Sequence, residues 1–308
     1  MLLFKGIEKL KPIKEKKISL EKEIQTLTEN NMNEIFGLDF ISSEFALNNL
    51  RIDSLAFDNE TNSFVIIEYK RDRSFSVIDQ GYSYLALLLN NKADFVLEYN
   101  NKMNKNLNRK EDIDWSQSRV IFVANSYTRY QKEAINFKDL PIELWEFNKY
   151  EDNLISYNPI ISRNPVESIK SITKNSGEIQ KVSSEIKKYK VEDLFKEDWK
   201  ESKELFEELR EKVLNLDNRI EEVPTKVYIG YKIDKKVIFD INASKNKLEL
   251  HFYRMEVKDF KDPEKVVTYV EYSMKNWNKH VCKYSVFSSE DIDYALFLIK
   301  QIYNKFYI

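Results

Sequence analysis

The stretch RIDSLAFDNETNSFVIIEYKRDRSFSVIDQGYSYL, residues 51–85, decides how the chain is read. Two strand-like runs meet at the polar turn around Asp58, Asn59, Glu60, Thr61 and Asn62, and a helical pattern follows. The second run, Phe64-Val65-Ile66-Ile67, is wholly apolar and ends abruptly in Glu68-Tyr69-Lys70. Charges at the end of a buried strand are costly unless something compensates them, and a bound cation would do so.

Strand parity gives the first inference. Glu68 and Lys70 are two residues apart and project from one face, with Tyr69 on the other. Asp53 lies on the neighbouring strand, and a short turn brings its carboxylate towards that of Glu68. Two such carboxylates repel, so one keeps its proton unless a cation lies between them. A hard cation such as Mg²⁺, held by one or two carboxylates and water, resolves the conflict. Lys70 is then placed to serve an attacking water or to stabilise charge on a phosphodiester. The pattern E-x-K alone is weak: it recurs at Glu15–Lys17, Glu185–Lys187, Glu201–Lys203 and Glu256–Lys258. Only at Glu68 do an upstream acid, a turn, an apolar strand and a following helix come together.

Working outward, Ser19 is expected to cap a helix carrying Leu20, Ile24, Leu27 and Ile35, closed by Gly37. Strands are expected at residues 40–46, 51–58 and 64–70, a helix from Ser74 or Ser76 through Leu89, and a further strand at 93–99. A polar loop at 100–118 precedes a strand at 119–124, a helix at 127–137 and a strand at 142–147. This order predicts an α/β fold, a mixed sheet flanked by helices with an α-β-β-β-α-β core, over residues 1–158. Residues 159–199, rich in Ser, Lys, Asn and Glu, read as a linker with partial helix. Residues 200–308 read as a smaller α+β domain. It has an amphipathic helix through Leu205 and Leu209, four strands, and a last helix capped by Ser288 and Asp291.

Composition narrows the function classes. With 49 Lys+Arg against 51 Asp+Glu in 308 residues, net charge is −2, so nucleic-acid binding requires a local basic surface. Residues 1–18 are basic and read as an edge strand or a solvated arm. The single cysteine, Cys282, excludes an intramolecular disulfide and fits a cytoplasmic protein. No apolar run approaches a membrane span, and the N-terminus lacks signal-peptide character.

The elements R-I-D-x-L-A-x-D at 51–58, V-I-I-E-Y-K at 65–70 and D-Q-x-x-x-Y at 79–84 resemble the PD-(D/E)XK nuclease superfamily. The resemblance covers about residues 15–150. It implies a restriction-endonuclease-like fold, with Asp53 and Glu68 as ligands of Mg²⁺ or Mn²⁺ and the Tyr69 carbonyl as a further ligand. It also implies that Lys70 serves the attacking water and that Gln80 sits beside the site. An extra acid from the first helix or strand is common there, and Glu23 and Glu44 are both candidates. One departure is Ile52, where a proline often precedes the aspartate. The C-terminal residues Tyr228–Lys232 and Ser285–Tyr294 resemble an uncharacterised domain of the DUF5655 type, sometimes labelled a predicted transport protein. It implies no definite activity.

The expected function is therefore metal-dependent, endonuclease-like hydrolysis of DNA, with a C-terminal domain for recognition, partner contact or dimerisation. The alternatives are a buried structural ion-pair cluster, and a catalytically inactive nucleic-acid or protein-binding module on the same fold. Arg51, Arg71 and Arg73 could grip phosphates or be solvated strand-end charges, and Tyr84 with Gln80 could line the site or shoulder a core helix. Lys102, Lys105, Arg109 and Lys110 suit either a nucleic-acid loop or an ordinary soluble one. His251 and His280 lack partners at zinc spacing, and Cys282, Phe252 and Trp277 read as packing residues.

Overall fold

The computed structural model describes residues 2–16, 21–70, 76–107, 113–137, 139–161, 168, 177–271, 273 and 280–307, with 177–179 as backbone. Ser19, Arg71, Arg73, Ser74, Arg109, Lys110 and Trp277 lie outside them. The chain divides into two compact units, Met1–Lys188 and Tyr189–Ile308.

In the first unit, helices α1 (Glu21–Asn30) and α2 (Met32–Phe36) precede strands β4 (Asp39–Leu47), β5 (Leu50–Asp58) and β6 (Ser63–Lys70). Gly37 closes α2 with a left-handed φ of 69°. The three strands form an antiparallel meander. Helices α3 (Val77–Asn90) and α4 (Lys92–Met103) lead to β7 (Arg119–Ala124), which lies parallel to β6. Helix α5 (Arg129–Ala134) crosses to β8 (Ile142–Tyr150), parallel to β7, and β9 (Ile155–Pro159) returns antiparallel. The short β3 (Glu15–Lys16) also pairs with β8, so the sheet order is β3-β8-β7-β6-β5-β4 with β9 on β8. A separate two-stranded ribbon joins β1 (Phe4–Lys5) to β2 (Lys11–Pro12). This is the mixed α/β architecture that the order of elements predicts.

Alternation builds the core on both faces of the sheet. Phe64 and Ile66 of β6 join Leu85, Leu88, Phe95 and Phe122 on the α3/α4 face. Val65, Ile67 and Tyr69 join Ile24, Phe36 and Phe147 on the α1/α2 face. A central strand buried on both faces has no polar alternation, hence the unbroken apolar run.

Residues 93–99 are not a strand but the body of α4. Phe95, Val96 and Tyr99 are buried while Leu97 is 60% exposed. In a strand Phe95, Leu97 and Tyr99 would share a face, whereas burial here follows helical spacing. The loop expected at 100–118 starts later for the same reason, since α4 runs to Met103. The segment read as a linker carries helix α6 (Gly177–Glu185), and Val182 and Ile186 enter the core of the first unit.

The second unit begins with α7 (Lys200–Leu214) and continues through β10 (Glu221–Pro224), β11 (Ile229–Ile233), β12 (Lys236–Ser244) and β13 (Lys247–Tyr253). Then come β14 (Thr268–Tyr269), β15 (Val281–Val286) and helix α8 (Glu290–Tyr307). Its antiparallel sheet has the order β10-β11-β12-β13-β15-β14. Phe206, Leu209, Phe239, Leu250, Phe252, Ile292 and Ile299 are buried in one core with Cys282. Asp291 accepts from the Phe287 and Ser288 amides at 2.8 and 2.9 Å, which fixes the entry to α8. Among the described residues no helix is long and apolar enough to cross a membrane.

The helical reading of α4 has a direct check by chemical denaturation. Phe95→Ala should cost about 3–5 kcal/mol, the usual range for emptying a buried aromatic site. Leu97→Ala should stay within about 0.5 kcal/mol, as exposed substitutions do. Equal losses at both positions would restore the strand.

Candidate active site

Strands β5 and β6 pair from Asp58↔Ser63 to Ser54↔Ile67, and the next residues outward are Asp53 and Glu68. There the ladder changes character: Asp53 Oδ2 accepts the Tyr69 amide at 3.0 Å. A side chain thus satisfies an amide at the opening of the hairpin, and the Asp53 carboxylate is held beside Glu68. On the other side of β5 the register pairs Ser43↔Ser54 and Phe45↔Ile52, leaving Glu44 across from Asp53. Three acids therefore fall in one cross-strand row.

Glu68 is 4% exposed. Its Oε1 accepts from Lys70 Nζ at 2.7 Å and from Gln80 Nε2 at 3.0 Å. Its Oε2 is buried without a hydrogen-bond donor among the described residues. Gln80 Nε2 also lies 3.3 Å from the Tyr84 hydroxyl, which donates to the Arg51 carbonyl at 3.2 Å. Helix α3 delivers both side chains from one face, its start fixed by the Ser76 hydroxyl accepting the Asp79 amide at 3.3 Å. Gly81 is what lets this helix lie so close. A Cβ there would come within 2.5 Å of Ile142 Cδ1 and 3.5 Å of Phe122.

The electrostatics follow from this crowding. Burial first, and the Glu68 carboxylate second, push the Asp53 carboxyl up to about 6, against the opposing Tyr69 amide and Lys70. Burial, reinforced by Glu68, also pushes the Tyr84 hydroxyl upward, so it stays protonated as a donor.

The two candidates for an extra acid part company. Glu23 pairs with Lys149 of β8. Glu44 sits across from Asp53 and adds to its upward shift. It is tied to Lys22 at 3.2 Å and to Arg51 at 2.9 Å, and its backbone takes a left-handed φ of 56°. Arg51 is thus engaged by a carboxylate at the mouth of the site. Reading the sequence missed Gln25, buried at 4% exposure on α1. Its Nε2 reaches the Asp53 carbonyl at 2.8 Å, Ser43 Oγ at 3.0 Å and Glu29 Oε1 at 2.9 Å. It binds the helix to both strands beneath Asp53. A polar residue beside Ile24 on an amphipathic helix carries no signal of such a role.

An orphaned, buried carboxylate oxygen is expensive, and a cation is the partner that removes the cost. The donors are hard: Glu68 Oε2, the Asp53 carboxylate and backbone carbonyl oxygen, a set that suits Mg²⁺ or Mn²⁺ rather than zinc. Among the described residues no group of three or more His, Cys, Asp or Glu side chains is placed to hold an ion. What the described residues offer a cation is the carboxylate pair of Asp53 and Glu68.

In the second unit, both ring nitrogens of His251 face carboxylates, Asp240 at 3.1 Å and Glu249 at 3.2 Å. Burial works against its charge, but these two acids outweigh it and hold the imidazole above its usual range. Burial pushes the Cys282 thiol up to about 11, and Sγ donates to the Met255 carbonyl, which suits packing rather than nucleophilic attack.

The first unit is thus a mixed-sheet α/β unit with an acid pair at the open end of its central hairpin. A protein of Haemophilus influenzae (strain ATCC 51907 / DSM 11121 / KW20 / Rd), described as uncharacterised, is 40% identical over 292 residues, covering 95% of each chain. The chain belongs to the same family as that protein. Residues 191–304 match a domain of unknown function, DUF5655. Among solved structures, a repair endonuclease from Pyrococcus abyssi is similar at 21% identity, 43% of this chain, 50% of that one, and a TM-score of 0.25. EndoMS in its apo form is similar at 19% identity, 47% of this chain, 64% of that one, and a TM-score of 0.28. The chain thus spans between half and just under two thirds of those two chains.

The raised Asp53 carboxyl has a signed consequence. Its folded value, about 6, exceeds its unfolded value of 3.8. Its contribution to stability is thus fully present below pH 3.8 and is lost as pH rises through about 6. In EDTA, Asp53→Asn should melt higher than the wild type at pH 7.5, and the gap should narrow as pH falls towards 4. A gap independent of pH would contradict the assignment.

Proposed function

We propose that the N-terminal unit is a metal-dependent nuclease that hydrolyses DNA phosphodiesters, endonucleolytically, and that the C-terminal unit serves recognition or partner contact. The observation that carries this reading is the Glu68 carboxylate. One of its oxygens is held by Lys70 and Gln80, and the other is buried next to Asp53, without a donor among the described residues. A structural ion pair would be expected to satisfy both oxygens, whereas a metal ligand leaves one for the ion.

Glu68 Oε2 and the Asp53 carboxylate would hold Mg²⁺ or Mn²⁺, with the Tyr69 carbonyl as a further donor. When bound, such an ion lowers the pKa of a coordinated water and stabilises charge on phosphate oxygens. The chain's own residues do the rest. Asp53, with a carboxyl value near 6, is ionised at neutral pH and available as a ligand. Gln80 fixes the rotation of the Glu68 carboxylate, and Tyr84 anchors the start of β5 through the Arg51 carbonyl. Lys70 Nζ, at 2.7 Å from Glu68, can exchange part of that contact for the attacking water or the phosphate as the substrate enters. Arg51 is placed to leave Glu44 for a phosphate oxygen, a stronger bidentate partner. Glu44, once released, is the candidate for an additional acid near the ion.

The test is cleavage of supercoiled plasmid and of mismatched, branched and single-stranded DNA with Mg²⁺ or Mn²⁺. Asp53→Ala should abolish cutting. Lys70→Ala should lower it by about 10²-fold or more, the usual contribution of a positioned proton-transfer group. Gln80→Ala should reduce the rate less than Lys70→Ala, and EDTA should stop it. Wild-type protein that binds DNA but cuts no faster than Asp53→Ala would mark a non-catalytic binding module.

A further inference from the structure

The β1–β2 ribbon and β3 stand at the same rim of the sheet as the acid pair, by a register that can be followed strand by strand. At the level of Lys70 in β6 lie Ala124 of β7 and Glu146 of β8. Strand β7 ends there, but β8 runs on to Tyr150. At Lys149 one edge of β8 holds Ile155 of β9, and the other edge holds Lys16 of β3. Strand β3 therefore takes the lane that β7 leaves, one strand from β6. It lies three residues, ~10 Å at the usual rise per residue, beyond the level of Lys70. Because β3 is antiparallel to β8, the chain before it continues outward. The Lys14 carbonyl accepts the Glu151 amide at 2.9 Å, and the ribbon of residues 4–12 follows. The Lys5–Asp152 pair ties this ribbon to the β8–β9 turn at the same rim, where it forms the post.

This post is basic and poorly neutralised. Residues 2–16 hold five lysines (5, 9, 11, 14 and 16) against two glutamates, in a chain of net charge −2. Lys5 and Lys11 are paired directly across the ribbon, an arrangement of like charges that destabilises an antiparallel pair. Asp152 pairs with Lys5 at 2.8 Å and also acts on Lys16. Lys9, Lys11 and Lys14 are exposed and make no ion pair among the described residues. At the tip, Ile7 is 99% exposed and Leu10 59%. Unneutralised lysines around an apolar tip, beside carboxylates that need an anionic substrate delivered to them, are complementary to a nucleic-acid backbone.

We propose that the β1–β2 ribbon is a DNA-contacting post, in which Lys9, Lys11 and Lys14 bind backbone phosphates of a duplex that reaches the acid pair. This rests on the nuclease reading for the choice of polyanion. The ribbon adds positive charge to that of Lys70 and Arg51, and it sets the approach of the duplex to the rim.

The experiment measures binding, not turnover. Full-length protein is titrated against a labelled duplex of about 20 base pairs in EDTA over a range of salt around 0.1 M. The combined variant Lys9→Gln, Lys11→Gln, Lys14→Gln should bind at least about tenfold more weakly, and its salt slope should be smaller by about two to three, near 0.9 per lost phosphate contact. The three arginine substitutions should restore both. Circular dichroism and Mn²⁺ affinity should match the wild type. Unchanged affinity and slope in the glutamine variant would overturn the proposal, as would wild-type protein that does not bind duplex. So would a variant that loses only its binding to vesicles of equal parts phosphatidylcholine and phosphatidylglycerol, or one that only turns a dimer into monomers. The two readings fail separately. A wild type that binds through the ribbon and never cuts loses the nuclease, whereas one that cuts with an unchanged KM in the glutamine variant loses the post.

Discussion

Repulsion between the carboxylates of Asp53 and Glu68 is the constraint on which the N-terminal unit depends. Both stand at the opening of the central hairpin, where burial removes most of the screening that water would supply. The surrounding structure contains this repulsion without cancelling it. An amide of Tyr69 holds one carboxylate, Lys70 and Gln80 hold the other, and one oxygen is left without a donor among the described residues. At the opposite end of β5 the contrast is plain. Asp58 and Glu143 share Arg119, at 3.0 and 2.9 Å, so a cation of the protein's own stands between two carboxylates. One end of the hairpin is built as a closed ion-pair cluster and the other is left open.

Much of the site is legible because it is local. Strand parity puts Glu68 and Lys70 on one face, and a short turn is enough to bring Asp53 alongside. The helix carrying Gln80 and Tyr84 follows within a few residues. What parity cannot supply is long-range register. Glu23 and Glu44 are equivalent as acids upstream of Asp53, and only the pairing of β4 with β5 separates them. Glu23 finds its partner 126 residues away, on β8. Gln25 is silent for another reason: its role lies in three hydrogen-bond acceptors that belong to three different elements.

The fold shows the same division. The meander β4–β6 and the parallel strands β7 and β8 are announced by short apolar runs with turn residues between them. Residues 93–99 mislead because Ala93, Phe95, Val96, Leu97 and Tyr99 form a run short enough for a strand, and burial alone separates Leu97 from its neighbours. Residues 177–185 mislead in the opposite sense. Their composition is that of a linker, yet Val182 meets the sheet's helical layer and is 1% exposed. Two well-placed apolar side chains are enough to dock a short helix, and average polarity conceals them.

Gly81 carries a consequence for how this family can change. The gap between helix α3 and the strands beneath it is filled by Ile142 and Phe122 up to the glycine's own backbone. A lineage that acquired a side chain at position 81 would need Ile142 to give way, by turning its side chain or by becoming smaller. The two positions are therefore expected to drift as a pair, so that a core residue of β8 bears on the pace of change in a helix that faces the acid pair.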